Sequence, residues 1–265
     1  MKITILGSGT GLPSLERCAA GYLLQSDHRV DLIDCGSGIL RQLEQVGVGF
    51  QSLDGLFITH THSDHIGDLT ALVHAFRLPG LEERSRPFHL FGPPGFQDFF
   101  NQVVQPVASP PTRFPFLIRE VPKRWQMDDL TIQTCPTRHS DRFASVAYRF
   151  EQQSQSVVFS GDCDVDPEII ALSHQADLLI CDCSTLAEEK VAGHLCATET
   201  GMIAQQAEVK QLVPTHFYPI NGPDSQRLAE CTQHYSGPIT LAEDFLTFTL
   251  PSSEQSDQRQ TPPDH

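Results

Sequence analysis

Residues 57–68 read Phe57-Ile58-Thr59-His60-Thr61-His62-Ser63-Asp64-His65-Ile66-Gly67-Asp68. Three histidines and an aspartate fall within six positions, directly after a short apolar run. Imidazole and carboxylate are the ligands that zinc and similar divalent metals prefer. A strand is predicted from Leu53 to Thr59. On an extended segment that continues it, His60 and His62 point the same way, because side chains alternate, so they can share one metal. Asp64 and His65 lie beyond the strand, where a turn can direct them to a second metal.

Single histidines are more often surface or core residues than metal ligands. Four ligand-type side chains in one turn are different, because without a metal they would crowd polar groups at a sheet end for no benefit. We therefore predict a metal site at this turn.

The pattern His-x-His-x-Asp-His resembles the metallo-β-lactamase superfamily, in particular its ribonuclease Z and phosphodiesterase branch. The resemblance extends from the first strand to about Leu250. It implies an α/β protein with a four-layer αββα sandwich, in which two mixed sheets pack face to face with helices outside. Periodicity alone supports only an α/β class with mixed sheets. We expect one hydrolase domain over residues 1–250 and a disordered, proline-bearing tail over residues 251–265.

Further candidate ligands each follow a predicted strand. His139 should complete the site of His60 and His62, and His216 should join Asp64 and His65. Asp162 follows the strand in Ser160-Gly161-Asp162, a context that is similar to the family pattern. Its two carboxylate oxygens can bridge metals about 3.5–4 Å apart.

Proton transfer is expected of a sixth histidine. The resemblance places His194 near the metals without making it a primary ligand, and an imidazole there suits a general acid near neutral pH. Asp64 is counted with His194 among the catalytic residues. Asp68 is predicted to hydrogen-bond a ligand imidazole.

Local patterns predict the other elements. Helices are expected over residues 39–46, over 69–78 before Pro79-Gly80, and over 96–104. Thr198 is expected to cap a helix that runs to Glu208. Residues 239–242 and 246–250 are predicted closing strands.

Composition limits the class of protein. The chain has 265 residues, of which 39% are hydrophobic, so it can bury a sizeable core. No apolar run approaches the 18 or so residues of a membrane span, and the first residues predict a strand, not a secretory signal. The eight cysteines include no Cys-x-x-Cys pair. Reduced thiols in the cytoplasm are the default expectation.

The formal net charge is −15. Binding of long nucleic acids depends on neutralising phosphates with Lys and Arg, so such a substrate is not expected. The charge favours small substrates or a partner that covers an acidic face. A homodimer is the common form in the resembled family.

The predicted chemistry is hydrolysis by two divalent metal ions, most simply Zn²⁺, with Mn²⁺ or Fe²⁺ as alternatives, through a metal-bridged hydroxide. Cyclic nucleotides or other small phosphodiesters are the first-choice substrates. The first alternative is a ribonuclease Z-like tRNA 3′ endonuclease. However, only 23 positions separate His139 from Asp162, too few for the family's tRNA-gripping arm. The second alternative is a thioesterase or lactonase of glyoxalase II type.

Overall fold

The structure, a computed structural model, describes residues 1–78, 84–220 and 222–251. Within these ranges the chain forms two β-sheets, one of seven strands and one of six. The predicted helix end at Pro79-Gly80 and, apart from Pro251, the predicted disordered tail lie outside the described residues.

The first sheet is built almost entirely from the first half of the chain. Its strands lie in the spatial order β13-β1-β2-β3-β4-β5-β6. The members are β1 (Lys2–Gly7), β2 (Gly21–Gln25), β3 (Val30–Ile33), β4 (Gly55–Phe57), β5 (Phe88–Gly92), β6 (Phe116–Glu120) and β13 (Thr247–Thr249). Strands β3 to β6 are parallel, so their carboxyl ends lie at one end of the sheet.

The second sheet has the order β12-β11-β10-β9-β8-β7. Its strands are β7 (Arg124–Met127), β8 (Leu130–Pro136), β9 (Val146–Gln152), β10 (Gln155–Phe159), β11 (Leu178–Asp182) and β12 (Leu212–Thr215). Strands β10, β11 and β12 are parallel, whereas β7 to β10 form an antiparallel meander. Parallel neighbours need crossover connections, which here contain helices.

Helices cover the outer faces of both sheets. They are α1 (Ile39–Gln45), α2 (Ser63–Ile66), α3 (Leu69–Ala75), α4 (Phe96–Phe99), α5 (Pro167–Ser173), α6 (Ala197–Gln206) and α7 (Asp224–His234). One buried apolar cluster lies between the sheets and includes Phe57, Tyr148 and Phe159. A second joins the first sheet to α1 and α3, and a third joins the second sheet to α5 and α6. Three apolar layers between four structural layers confirm the predicted αββα sandwich.

Several local predictions need correction. The helix predicted over residues 96–104 changes at Phe100 into a π-helix, in which Gln105 N–H donates to the Phe100 carbonyl. The N-cap of α6 is Cys196, not Thr198, because Glu199 reaches back to the backbone N–H of Cys196 in a capping box.

The predicted closing strand over residues 239–242 is also wrong. This segment lies beside β12. The backbone N–H groups of Thr240 and Ala242 donate to the carbonyls of Leu212 and Pro214. Because Pro214 has no N–H to donate in return, the ladder stops, and only an isolated bridge at Ile239 remains. The second predicted strand is confirmed as β13, over Thr247–Thr249.

Over residues 1–78, 84–220 and 222–251, none of the helices combines the length and the apolar character that crossing a bilayer requires.

Candidate metal centre

The seven predicted ligands meet at one end of the sandwich. Four follow β4 and belong to the first sheet, whereas three follow strands β8, β10 and β12 of the second sheet. In order along the chain they are His60, His62, Asp64, His65, His139, Asp162 and His216. The strand-end positions inferred from sequence therefore converge, although the ligands lie up to 156 positions apart in the chain.

One group of ligand atoms comes from His60, His62, His139 and Asp162, which lie within 4.8 Å of one another. The Nδ1 atom of His62 is 3.1 Å from Nε2 of His60 and 2.9 Å from Nε2 of His139. The three imidazoles thus direct ring nitrogens at a common point.

A second group consists of Asp64, His65 and His216, also within 4.8 Å of one another. Nε2 of His216 lies 3.3 Å from the Asp64 carboxylate and 3.4 Å from Nε2 of His65. Asp64 and His65 belong to α2, the single helical turn that follows the His60–His62 segment.

Asp162 lies between the two groups. Its Oδ1 is 3.2 Å from Nε2 of His65 and 3.4 Å from Nε2 of His216. Its Oδ2 is 3.6 Å from Nε2 of His60 and 3.7 Å from Nε2 of His139. One oxygen faces each ligand group, which is the arrangement that a bridging carboxylate requires.

The first of two buried carboxylates that orient these imidazoles is Asp34, at the end of β3. It accepts a hydrogen bond of 2.7 Å from Nδ1 of His65. It also accepts from the Thr59 hydroxyl, whose oxygen in turn lies 3.1 Å from Nδ1 of His60. Asp34 therefore fixes one imidazole of each ligand group, directly or through a hydroxyl.

The second buried carboxylate, Asp182, does the same from the end of β11. It lies 3.1 Å from Nδ1 of His194 and accepts a 2.6 Å hydrogen bond from the Ser184 hydroxyl. The Ser184 oxygen lies 3.0 Å from Nδ1 of His216. The predicted general acid and a predicted ligand thus share one buried anion.

Asp34, Asp182 and Ser184 were missed in the sequence. The signal that could have found both aspartates is the one used for the ligands, because each follows an apolar strand. The prediction for Asp68 was wrong. Its carboxylate accepts the backbone N–H groups of Gly38 and Leu40 at the start of α1.

Electrostatics in the centre follow from burial and close charges. Burial opposes ionisation of Asp162, but His216 and His65 outweigh it and hold the carboxyl pKa well below its usual range. Burial together with the neighbouring His65 holds the pKa of His60 well below normal. For His194, Asp182 outweighs burial and raises the pKa to about 9.

The residues present fit divalent metal ions. Nitrogens of neighbouring imidazoles face each other, while the opposite nitrogens are occupied: Nδ1 of His139 donates to the Gly193 carbonyl at 2.8 Å, and those of His60, His65 and His216 meet Thr59, Asp34 and Ser184. The facing lone pairs require a proton or a cation between them. Six nitrogen or oxygen donors around one bridging carboxylate suit two borderline divalent ions.

Two partly exposed aromatic rings border the centre. The ring of Phe143 lies 4.7 Å from that of His62 and 5.9 Å from that of His60. Tyr218 lies 5.9 Å from His194 and 6.0 Å from His216. An open cavity of about 300 Å³ adjoins Asp64 and is lined in part by residues 10–14, in the loop that follows β1. Substrate thus has access beside the ligand groups.

The cysteines take no part in the centre. All eight are free thiols, and seven of them are buried. Cys181 and Cys183, on either side of Asp182, have raised pKa values; burial is the main cause at Cys181, and the neighbouring Cys231 at Cys183. Both thiols are therefore small buried core residues.

Comparison with known proteins gives the family. Residues 28–217 match the model of the beta-lactamase superfamily domain. Ribonuclease Z of Mycobacterium bovis is 27% identical over 273 aligned residues, covering 92% of this chain and 96% of that protein.

Solved structures agree with this result. The metallo-beta-lactamase fold protein YhfI from Bacillus subtilis superposes with a TM-score of 0.79 and 26% identity, covering 93% of this chain and 98% of that one. The short form of human tRNase Z has the same fold, with a TM-score of 0.78, 24% identity, and coverage of 95% and 100%.

The resemblance expected from the His-x-His-x-Asp-His turn is thus confirmed over most of the chain. A fold of this kind implies divalent metal ions, and the clustered histidines and aspartates supply their donors. The chain is a metal-dependent hydrolase with the metallo-β-lactamase fold, and it belongs to the beta-lactamase superfamily.

Proposed function

We propose that this chain is a two-metal phosphodiesterase that cleaves RNA in the manner of a ribonuclease Z. The observation that carries the proposal is the pairing of His194 with Asp182 beside the bridging position of Asp162. Curated relatives named ribonuclease Z align along 96% of their length, which supports this substrate class. They favour the ribonuclease alternative over the small phosphodiesters that charge and spacing suggested.

In this proposal His60, His62 and His139 would hold one ion, Asp64, His65 and His216 would hold the other, and Asp162 would contribute one carboxylate oxygen to each group. When bound, such ions supply a water with a pKa near 7 and positive charge beside the scissile phosphate. Zinc suits the histidine-rich donors, and manganese or iron remains an alternative.

In this proposal a side chain of the protein supplies the proton that the leaving group needs. Cleavage of an RNA phosphodiester expels an alkoxide, which is a poor leaving group unless it is protonated. Nδ1 of His194 is held by Asp182 at 3.1 Å, which leaves Nε2 as the donor to the departing oxygen. A thiolate leaving group has little need of such a donor, so His194 counts against the thioesterase alternative.

A small cyclic phosphodiester is the second candidate substrate. The 22 residues between His139 and Asp162 are fully used by a loop and the β9–β10 hairpin. No segment there extends to grip a tRNA at a distance.

A homodimer in a reducing compartment such as the cytoplasm stays a prediction.

The proposal is tested with protein loaded with zinc or manganese. Substrates are bis-p-nitrophenyl phosphate, precursor tRNA, a cyclic nucleotide and an acyl thioester. We expect cleavage of the first two, and loss of both activities in Asp64→Ala with the thermal unfolding transition retained. Preference for the cyclic nucleotide over precursor tRNA would favour the second candidate. Hydrolysis of the thioester alone would reject both.

A further inference from the structure

The acidic charge of the chain is unevenly distributed. Between Arg113 and Arg149 there are seven basic and four acidic residues, a net charge of +3 in a chain whose formal net charge is −15. This interval contains β6, β7, β8 and the loop that carries His139. The region of positive charge therefore adjoins the metal centre.

Four cations of this interval form what we term the basic edge: Arg119, Lys123, Arg124 and Arg142. All four are exposed. Over the part of the chain that the structure describes, none of their side chains has an ion pair or a hydrogen-bond partner. Some other exposed cations, such as Lys210 at 2.7 Å from Asp177, have an acidic partner, whereas Lys2 and Arg41 have none among the described residues.

Most acidic residues of the interval are engaged elsewhere. Glu120 accepts hydrogen bonds from the backbone of Gly95 and Gln97 at the start of α4. Asp128 pairs with Arg29, and Asp129 accepts from Gln152. Asp141, beside Arg142, is the exception. The cations of the basic edge thus face solvent largely uncompensated.

The backbone places the basic edge close to the metal centre. Strands β6 and β7 are the outermost strands of the two sheets on the same side of the sandwich, and three residues link them. In the parallel register Arg119 is level with Phe91, which is level with Phe57, three residues before His60.

On the second sheet, the Lys123 carbonyl accepts from the backbone of Thr134, five residues before His139. At about 3.3 Å per residue, this places Lys123 roughly 16 Å from His139 along β8. Arg142 lies on the loop directly after His139, between that ligand and β9. The positive charges therefore extend from the rim of the centre to the sheet edge.

We propose that the basic edge binds the sugar-phosphate backbone of an RNA whose scissile bond lies at the metal centre. The proposal rests on the phosphodiesterase function above and names the surface that holds the substrate. A row of unpaired Lys and Arg side chains binds a phosphate chain by releasing its counterions, without reading its sequence. The basic edge would provide the contacts to RNA for which the connection between His139 and Asp162 is too short.

The test is the double variant Lys123→Glu/Arg124→Glu. Binding of a 20-nucleotide single-stranded RNA and of precursor tRNA is measured by fluorescence anisotropy at several KCl concentrations. We expect Kd to rise about tenfold at low salt. The slope of log Kd against log salt should fall by about 1.4, since each single-strand phosphate contact contributes about 0.7. Hydrolysis of bis-p-nitrophenyl phosphate should be unchanged.

The matched control is Lys2→Glu/Lys210→Glu, which makes the same change in net charge at the strand ends opposite the centre. Equal weakening in the two double variants would overturn the basic edge, because bulk charge alone would explain it. So would an absence of RNA binding by the wild type that hydrolyses bis-p-nitrophenyl phosphate. Failure of the metal-loaded wild type to hydrolyse any phosphodiester would instead reject the underlying function.

Discussion

The carboxylate of Asp34 lies 2.7 Å from Nδ1 of His65, and both groups are buried. Asp34 also accepts the backbone N–H of Thr59 at 2.8 Å, so the carboxylate is held by the segment that precedes the ligands. Its φ of 56° is in the left-handed region, which is unfavourable for a residue other than glycine. The fold maintains a strained residue where the orientation of His65 depends on it.

Asp34→Asn should therefore weaken metal binding more than it weakens the fold. The amide can keep some hydrogen bonds. It lacks the negative charge that makes the His65 imidazole more basic and so a better electron-pair donor to a metal. We expect the metal affinity to fall about 10- to 100-fold. Competition with a chromophoric chelator measures it. An unchanged affinity would show that Asp34 is only a structural contact.

His194→Ala should slow poor leaving groups selectively. We expect kcat on RNA to fall about 10²- to 10⁴-fold, whereas bis-p-nitrophenyl phosphate, which releases a stabilised phenolate, should lose much less. Asp182→Asn should shift the same ratio in the same direction, since Asp182 holds Nδ1 of His194. Proportional losses on both substrates would remove His194 from the proton-transfer role.

Gly193→Ala should damage the ligand group of His139. Gly193 has a φ of 86°, and an added Cβ would lie 2.4 Å from the carbonyl oxygen of His139. Since the Gly193 carbonyl also accepts from His139 Nδ1, displacement of either residue disturbs the imidazole. We expect weaker metal binding and lower kcat.

Gly95→Ala is the matched control for this substitution. Gly95 has a φ of 87°, but beyond its own neighbours in the chain no atom of the described residues lies within 4 Å of an added Cβ. It should cost about 1–2 kcal/mol of stability through backbone strain alone, with metal affinity unchanged. Comparable loss of metal affinity in both variants would assign the effect to strain, not to the contact with His139.

His89, on β5, should contribute to acid sensitivity. Burial, reinforced by the positive charge of Arg29, lowers the pKa of His89 below its ordinary value, and Nδ1 is buried without a hydrogen-bond partner among the described residues. Because the unfolded chain then binds the proton more readily, the free energy of unfolding falls as pH drops below about 6.5 toward the lowered pKa. His89→Gln should flatten this decline in urea unfolding of metal-loaded protein between pH 7 and 5. A parallel decline in both proteins would contradict it.

The sequence predicted which candidate ligands lie together because each one follows an apolar strand, and parallel strands bring such positions to one end of a sheet. His60, His139 and His216 all follow this rule. The pairing of Asp182 with His194 could not be read in the same way. The two residues are twelve positions apart, and their contact depends on how residues 183–193 fold back, which no local pattern describes.

Net charge was the weakest basis for predicting the substrate class. The net charge of −15 argued against long nucleic acids, but a sum over the chain does not describe where charges lie. Which cations remain unpaired depends on tertiary contacts, such as the capture of Glu120 by the backbone of Gly95. Similarly, the failure of residues 239–242 to form a strand depends on Pro214 in a neighbouring segment.

The candidate ligands are divided between the two sheets, four on one and three on the other. Bound ions would therefore link the two sheets, and the unfolded chain offers no equivalent site. By mass action, free metal at 100 times Kd adds about 2.7 kcal/mol of stability per ion. The melting temperature, and with it the survival of the protein against proteolysis, should rise and fall with the metal supply of the cell. In this fold the proposed metal centre would also hold the two sheets together, so loss of metal would lower both the activity and the stability of the protein.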